Sequence, residues 1–529
     1  MFGRSEVRSL TMKRRRWIII SVLALIGAGL AWGLFERIRS QRALRAYKAD
    51  LVAKGEKLTI QELAPVLSPQ GKRAAAEFLL AAAQLRAGAV VPYNLPGAMQ
   101  FISPGVARVG WAQPDIRSSS GTNHTWDELQ RQLTENETAL QRIRETLNGH
   151  ELDFGLDYTQ GFNLMLPPLA PRQRTVQWLF AAALNDLHNG RLDSAVENAR
   201  AMLALRRGLS GERVLLSQIL AAAVAAIAFQ PTWEALQADG WTDAQLARLQ
   251  EAWESPDFIK PTQQFLEMER AGGIDTFERL RRSTAEWRKF SAFSFTPAGS
   301  ATTPATPPGN STVVGEFFDS LGLRARGILS RVRETGEGAM WQWSWSYRDE
   351  LGHCSYFQTV IELLLDVQRA GHFAGVPEAL NQAEAILMSD SPPFSVSAMK
   401  APGMSMAVTK AARMETQRKL AVTAIALKRY QLRHGRPAPN LAALVPEFLP
   451  QVPRDFMDGN ELRYRINVDG TFLLYSVNED GKDDGGDPRP PTDKSRSRHF
   501  ANGRDLVWPR AATAAELADE EGPRAPSNE

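Results

Sequence analysis

One cysteine, Cys354, in 529 residues excludes an intramolecular disulfide, so the fold must hold by packing whatever its redox compartment. The chain also lacks an excess of either charge. It carries 62 Lys and Arg against 59 Asp and Glu, a formal charge of +3. The residues flanking the first apolar segment hold more than that excess, so the rest is near neutral and has no nucleic-acid footprint. Familiar catalytic patterns are missing as well: no Gly-x-Ser-x-Gly elbow, no His-Glu-x-x-His, no phosphate-binding glycine loop ending in Lys-Ser/Thr, and no Cys-x-x-Cys. Long apolar runs are scarce. Beyond one near the N-terminus, the nearest is Leu215 to Phe229, which starts after Arg213 and contains Ser217 and Gln218; it predicts a buried core helix, being short of the roughly 18 residues a membrane span needs.

What is present begins with that N-terminal run. Trp17 to Phe35 contains Ser21 as its only polar side chain, and its length as a helix, about 28 Å, matches the hydrocarbon thickness of a bilayer. Basic residues flank both sides: Arg4, Arg8 and Lys13 to Arg16 before it, Arg37, Arg39, Arg42, Arg45 and Lys48 after it. The compact Lys13 to Arg16 block at the membrane edge favours an inside N-terminus. The expectation is a basic cytoplasmic segment (1–16), a transmembrane helix (17–35) in the inner cell membrane, and an extracytoplasmic body. A cleaved signal peptide is the alternative, with Gly29-Leu30-Ala31 as the small-residue site. The charge-rich helical pattern of Glu36 to Gly55, which has no loop, favours a retained anchor.

Residues 36–290 read as a helical domain. Alanine-rich amphipathic stretches fall near 72–88, 126–148, 172–188, 192–208, 212–238 and 243–254, with Trp126, Trp178, Trp233, Trp241 and Trp253 as core candidates. The turn at Asn189-Gly190 between two such stretches has a tetratricopeptide character, yet no regular 34-residue period follows; an irregular or tetratricopeptide-like body is expected. Proline, serine, threonine and glycine dominate 291–312, a flexible linker. A second helical region, 313–403, crowds Trp341, Trp343, Trp345, Tyr347, Tyr356 and Phe357 around Asp349, Glu350 and His353. Positions 349 and 353 share a helix face, which allows an acid–base or metal site, although such groups more often serve packing. Ser397-Ala-Met-Lys400 matches the Ser-x-x-Lys of serine acyl-enzymes without a Lys-Thr-Gly partner. These two clusters define an alternative function, a membrane-anchored hydrolase.

The last third changes character. Apolar residues at helical spacing from Met404 to Arg433 stop at Gly435 and Pro437. Two β-type runs, Glu461 to Val468 and Thr471 to Val477, flank Asp469-Gly470, which suits a tight hairpin turn; Leu462, Tyr464 and Ile466 fall on one face, expected to be dry. The loop that follows holds Glu479, Asp480, Asp483, Asp484 and Asp487 against Lys482 alone, and such a cluster repels itself unless protonated or given a cation. Its spacing is not that of an EF-hand, because Pro491 stands where a glutamate is required.

In order, Ala426-Leu427-Lys428-Arg429-Tyr430, His434-Gly435, Leu441 to Val445, Pro453-Arg454-Asp455, Gly459, Tyr464, Leu474-Tyr475-Ser476, Asp480-Gly481, Gly485-Gly486 and Asp505-Leu506-Val507-Trp508 make the segment 404–510 resemble the C-terminal domain of the type II secretion major pseudopilin. The resemblance implies a long helix on a small antiparallel sheet and a calcium ion bracing the final loop. Asp480 and Asp505 fall where that family places side-chain ligands, with Asp483, Asp484 and Asp487 as further candidates. The chain departs from the family at Phe456, in the insertion from Pro488 to Gly503, and in lacking a prepilin cleavage site ahead of its apolar helix. The tail 511–529 is expected to be disordered. The whole predicts a mainly α protein, with a small α+β C-terminal domain, that serves assembly or interaction with other proteins from the membrane and is not an enzyme.

Overall fold

The computed structural model describes residues 4–66, 68–117, 123–158, 169–254, 258–287, 337–392, 395–490 and 503–521, with 160, 164 and 290 as isolated positions. The linker expected at 291–312, the first part of the region from 313, and residues 522–529 lie outside these.

The chain opens with a 50-residue helix, α1 (Arg4–Ala53), then a single turn, α2 (Ile60–Leu63), and α3 (Pro69–Ala83). Strands β1 (Gln100–Ser103), β2 (Val106–Arg108), β3 (Ile116–Arg117) and β4 (Asn123–His124) follow. Six helices come next: α4 (Trp126–Gly149), α5 (Leu169–His188), α6 (Leu192–Gly211), α7 (Leu215–Leu236), α8 (Asp243–Glu254) and α9 (Ile259–Arg282). A helical turn, Glu337–Met340, and a π-helical turn, Trp341–Trp345, lead into α10 (Ser346–Ala370), followed by α11 (Val376–Asp390) and α12 (Val396–His434). Strands β5 (Arg463–Ile466), β6 (Phe472–Ser476), β7 (Leu506–Val507) and β8 (Arg510–Ala511), then α13 (Ala514–Glu521), complete the order.

Local chemistry explains the ends of these helices. Thr59 and Glu62 form a reciprocal capping box on α2, Ser68 accepts from the Gly71 amide with Pro69 at the first position of α3, and Thr125 accepts from the Glu128 amide on α4. α12 starts at Ser395, whose hydroxyl accepts the Ala398 amide, and ends at Gly435 in the left-handed region, φ +67°. It begins eight residues before the expected 404, carries Pro402 inside, and runs unbroken across the boundary drawn at 403/404.

The C-terminal hairpin is present. β5 and β6 pair antiparallel from Arg463↔Tyr475 to Ile466↔Phe472 around Asp469-Gly470, with Gly470 at φ +82°, and β7 adds to the far side of β6. The dry face is shorter than expected: Leu462 is buried, Tyr464 half-buried, and Ile466 is 42% exposed, next to a hairpin tip at which Val468 is fully exposed. The tail differs more. β8 pairs in parallel with β2, and Arg108 of β2 binds Glu520 of α13 at 2.7 Å. Residues 511–521 therefore fold against the N-terminal half instead of being disordered.

The five tryptophans named as core candidates are all buried. One apolar cluster holds Phe78, Trp178, Trp233 and Trp253 together with Ile425, Leu474 and Trp508, so the α3–α8 layer and the C-terminal segment share a core. α7, the second helix long and apolar enough to cross a membrane, has half of that apolar window buried and packs against α5, α6 and α12. α1 is the opposite case: its apolar window is only 11% buried, with Trp17, Leu25 and Trp32 exposed.

Candidate functional site

The C-terminal acidic loop is the first place the sequence singles out. Asp505, at the start of β7, is fully buried and accepts backbone N–H groups from Gly486 (2.8 Å), Asp487 (3.1 Å) and Asp484 (3.5 Å). Burial pushes its carboxyl up, and those amides pull the other way. Asp483 accepts from the Gly485 amide (2.9 Å), the Tyr475 hydroxyl (2.9 Å) and Arg463 Nε (3.3 Å), and these partners, the amide foremost, lower its pKa. Asp487 is lowered chiefly by Arg489, which binds both its oxygens at 2.8 Å. Asp480 accepts the Lys482 amide in an exposed turn. Asp484 meets Asp505 through its main chain. The loop thus gathers around Asp505 by backbone amides, while Arg463, Arg489 and Arg504 answer its charge. Among the described residues no three His, Cys, Asp or Glu side chains converge as a metal-holding group. A calcium ion on Asp480 and Asp505 would have to displace these donors.

Asp455 is a bracing group that sequence reasoning passed over. It is fully buried and accepts the Ser476 hydroxyl (2.7 Å), the amides of Met457 and Val477 (both 2.9 Å), and Arg463 Nη1 (2.8 Å). It ties the connector after α12 to both strands of the hairpin. Burial raises its carboxyl against those donors.

The second cluster divides among unrelated partners. Asp349 is buried and accepts Trp341 Nε1 (2.8 Å), Ser395 Oγ (2.6 Å), and the amides of Val396 (2.7 Å) and Ser397 (3.2 Å). It serves as the carboxylate at the N-terminus of α12, where four orphan amides and the helix dipole favour negative charge. Glu350, one residue on, turns to the other side, between Lys48 of α1 and Arg281 of α9 at 2.5 Å. His353 sits in the space left by Gly273, its Nε2 3.2 Å from the Arg270 carbonyl oxygen and its ring against Phe277 and Phe357. Burial, helped by Lys400, pushes the imidazole down to about 3, so it is neutral at any physiological pH. The Ser397 hydroxyl donates to the Asp349 carbonyl (2.8 Å), and Lys400 reaches Glu269 at 3.4 Å; serine and lysine are not coupled. A cleft of about 470 Å³ between α1, α10 and α11 is bordered by Asp349, Glu36, Arg39, Tyr47, Arg348 and Asp390, and does not include His353, Ser397 or Lys400. A second, of about 510 Å³, mixes Arg200 and Arg207 with Glu151 and Glu251, so its charges cancel and favour no ion class.

An extended polar seam, which sequence reading did not foresee, joins α1 and α10. Ser344 Oγ donates to the Gly33 carbonyl (3.1 Å), and Arg37 Nη1 donates to the carbonyls of Trp343 (2.6 Å) and Gln342 (3.3 Å), which belong to the π-helical turn. Further along, Gln41 meets the Tyr347 hydroxyl (3.3 Å), Lys48 meets Glu350, and Leu44 and Leu51 pack with Cys354. Glu56 and Gln358 close the series on Arg270, which is itself buried. Partners rise in number together on both helices, so α1 and α10 run side by side in the same direction. The π-helical turn, which leaves main-chain carbonyls out of the regular ladder, has no sequence signature beyond its three tryptophans. No family model, curated protein or solved structure matches the chain.

Proposed function

We infer that this is a single-span membrane protein whose stem is built into its body, and that the helical body and pseudopilin-like C-terminal segment serve as an extracytoplasmic platform for assembly with other proteins. One observation carries the reading: α1 passes without a break from an apolar, lipid-compatible stretch, whose large side chains from Ile20 to Phe35 are exposed, into a stretch that is packed along α10. A flexible tether would leave the body free to tumble; a helix locked by Arg37, Lys48 and the Leu44–Leu51 contacts fixes the body's attitude to the bilayer. The same continuity favours retention over cleavage at Gly29-Leu30-Ala31, since that site lies inside the helix two residues ahead of the docked Gly33. The hydrolase reading is set aside because Asp349 and Ser397 are bonded to each other at the head of α12, while Glu350, His353 and Lys400 are committed to partners elsewhere. Calcium is not needed for this reading, the acidic loop being balanced by arginines and amides.

Orientation is the test. An alkaline phosphatase fusion at the C-terminus should be active and a fluorescent-protein fusion dark in intact cells, with the protein staying in the membrane through alkaline carbonate washing. A bright cytosolic fluorescent fusion would reverse the topology, and release into the soluble fraction would replace the anchor by a cleaved signal.

A further inference from the structure

The contact between Gly33 and the π-helical turn has a positional consequence that rests on the membrane-spanning reading above. Gly33 is within the apolar stretch, two residues short of Phe35, which at about 1.5 Å per residue puts it roughly 3 Å inside the apolar end of the span. Trp343 fills the space a side chain at 33 would occupy: a Cβ there would lie 2.1 Å from its Cζ3. With Ser344 bonded to the Gly33 carbonyl and Arg37 to those of Gln342 and Trp343, the turn cannot be drawn away from that level while the seam is closed.

We propose that the body's Trp341–Trp345 turn rests in the headgroup layer of the same bilayer that α1 crosses, so that the membrane contacts the protein at two places. The residues follow the order that an interface selects. Trp343, half-buried, is set against Gly33 of the stem, whose chain neighbour Trp32 and nearby Phe35 are both exposed, and Met340, three residues before Trp343, is 40% exposed. Tryptophan concentrates at this depth because its ring is apolar and its N–H is not. One turn farther out come Arg37, stacked 5.2 Å over Tyr347, and Arg39, at the level of the lipid phosphates. Glu36 of the stem is turned inward, with Ser40 Oγ 3.1 Å and Arg348 3.8 Å from its carboxylate, which keeps its negative charge off the lipid. The bilayer is the occupant this face fits, being continuous with the helix that places it there.

The test uses the full-length protein in vesicles of phosphatidylcholine and phosphatidylglycerol. The native Cys354 is buried, its thiol pushed up to about 12 by burial, so an introduced cysteine is labelled alone. Ile26→Cys, Met340→Cys and Val468→Cys each carry an environment-sensitive fluorophore, and lipids bear a quencher either near the headgroup or near the chain end. The expected result is that Ile26→Cys is quenched best by the deep lipid, that Met340→Cys is quenched several-fold more by the shallow lipid than Val468→Cys, and that Val468→Cys, on the hairpin tip, behaves as in water. Met340→Cys as unquenched as Val468→Cys, with Ile26→Cys quenched, overturns this inference and leaves the span standing. Loss of quenching at Ile26→Cys removes the span and the inference with it. Gly33→Leu, which expels Trp343, should lower quenching at position 340 while leaving that at 26; unchanged quenching at 340 also counts against the contact.

Discussion

At the scale of single residues, the carboxylates that look most like chemistry turn out to hold the chain together. Asp349, Asp455 and Asp505 are all buried, and each accepts at least two backbone N–H groups. A buried carboxylate without such donors would cost several kcal/mol; with them it becomes a staple between distant segments. The sequence spacing of Asp349 and His353 points correctly to one helix, but not to where the side chains turn. Besides Trp341, Asp349 finds its donors 46 to 48 positions later, and no local pattern announces that. Asp349→Ala should therefore destabilise the protein by about 3 kcal/mol or more, since it strands several buried donors at the head of α12. Urea unfolding followed by circular dichroism measures it. A loss no larger than that of an exposed control such as Asp366→Ala would mean that Asp349 is not the cap of α12.

At the scale of elements, legibility followed periodicity and turn chemistry. α4 to α8 lie close to the amphipathic stretches that predict them, and Asp469-Gly470 marks the hairpin that forms. A comparable signal was available at Phe101-Ile102-Ser103-Pro104-Gly105-Val106-Ala107, where β1 and β2 pair around Gly105 at φ +74°. What fastens that hairpin is not local. Glu234 of α7 is fully buried and accepts the amides of Met99 (2.7 Å) and Gly110 (2.9 Å). Burial raises its carboxyl to about 7, with those amides opposing. The folded pKa lies above the unfolded value near 4.3, so the native state holds a proton that the unfolded chain has released. Its contribution is full below about pH 4.3 and is lost as pH rises through 7, by about 4 kcal/mol in all. Stability curves of the wild type and Glu234→Gln between pH 4.5 and 8 check this: the wild type should carry a downward term across that window that the variant lacks. Parallel curves would show that the amides keep Glu234 ionised.

At the scale of the whole molecule, the C-terminal segment is part of the body. Composition and the resemblance suggest a separable head from 404 to 510, but α12 packs far more extensively on α7 and α8 than on β6. Trp233 donates to the Pro509 carbonyl (2.7 Å), Gln250 to the Phe448 carbonyl (2.8 Å), and Arg429 pairs with Asp243 at 2.8 Å. β8 and α13 then return to β2. A domain needs its own core, and here Ile425, Leu474 and Trp508 share one with Trp178 and Trp233. A periodicity analysis sees the apolar face of α12 but not what covers it, which is why the head looked self-sufficient. It follows that residues 404–510 expressed alone should melt without a sharp transition and bind an apolar dye, whereas 36–529 should unfold in one cooperative step by calorimetry, with near- and far-ultraviolet dichroism coincident. A fragment that melts sharply near the temperature of the intact body would restore the independent head. A single transition would mean that strain entering at the C-terminal segment, for example on partner binding, reaches α7, α9 and α10 through α12, and through them the docked half of α1, without crossing a flexible joint on that path.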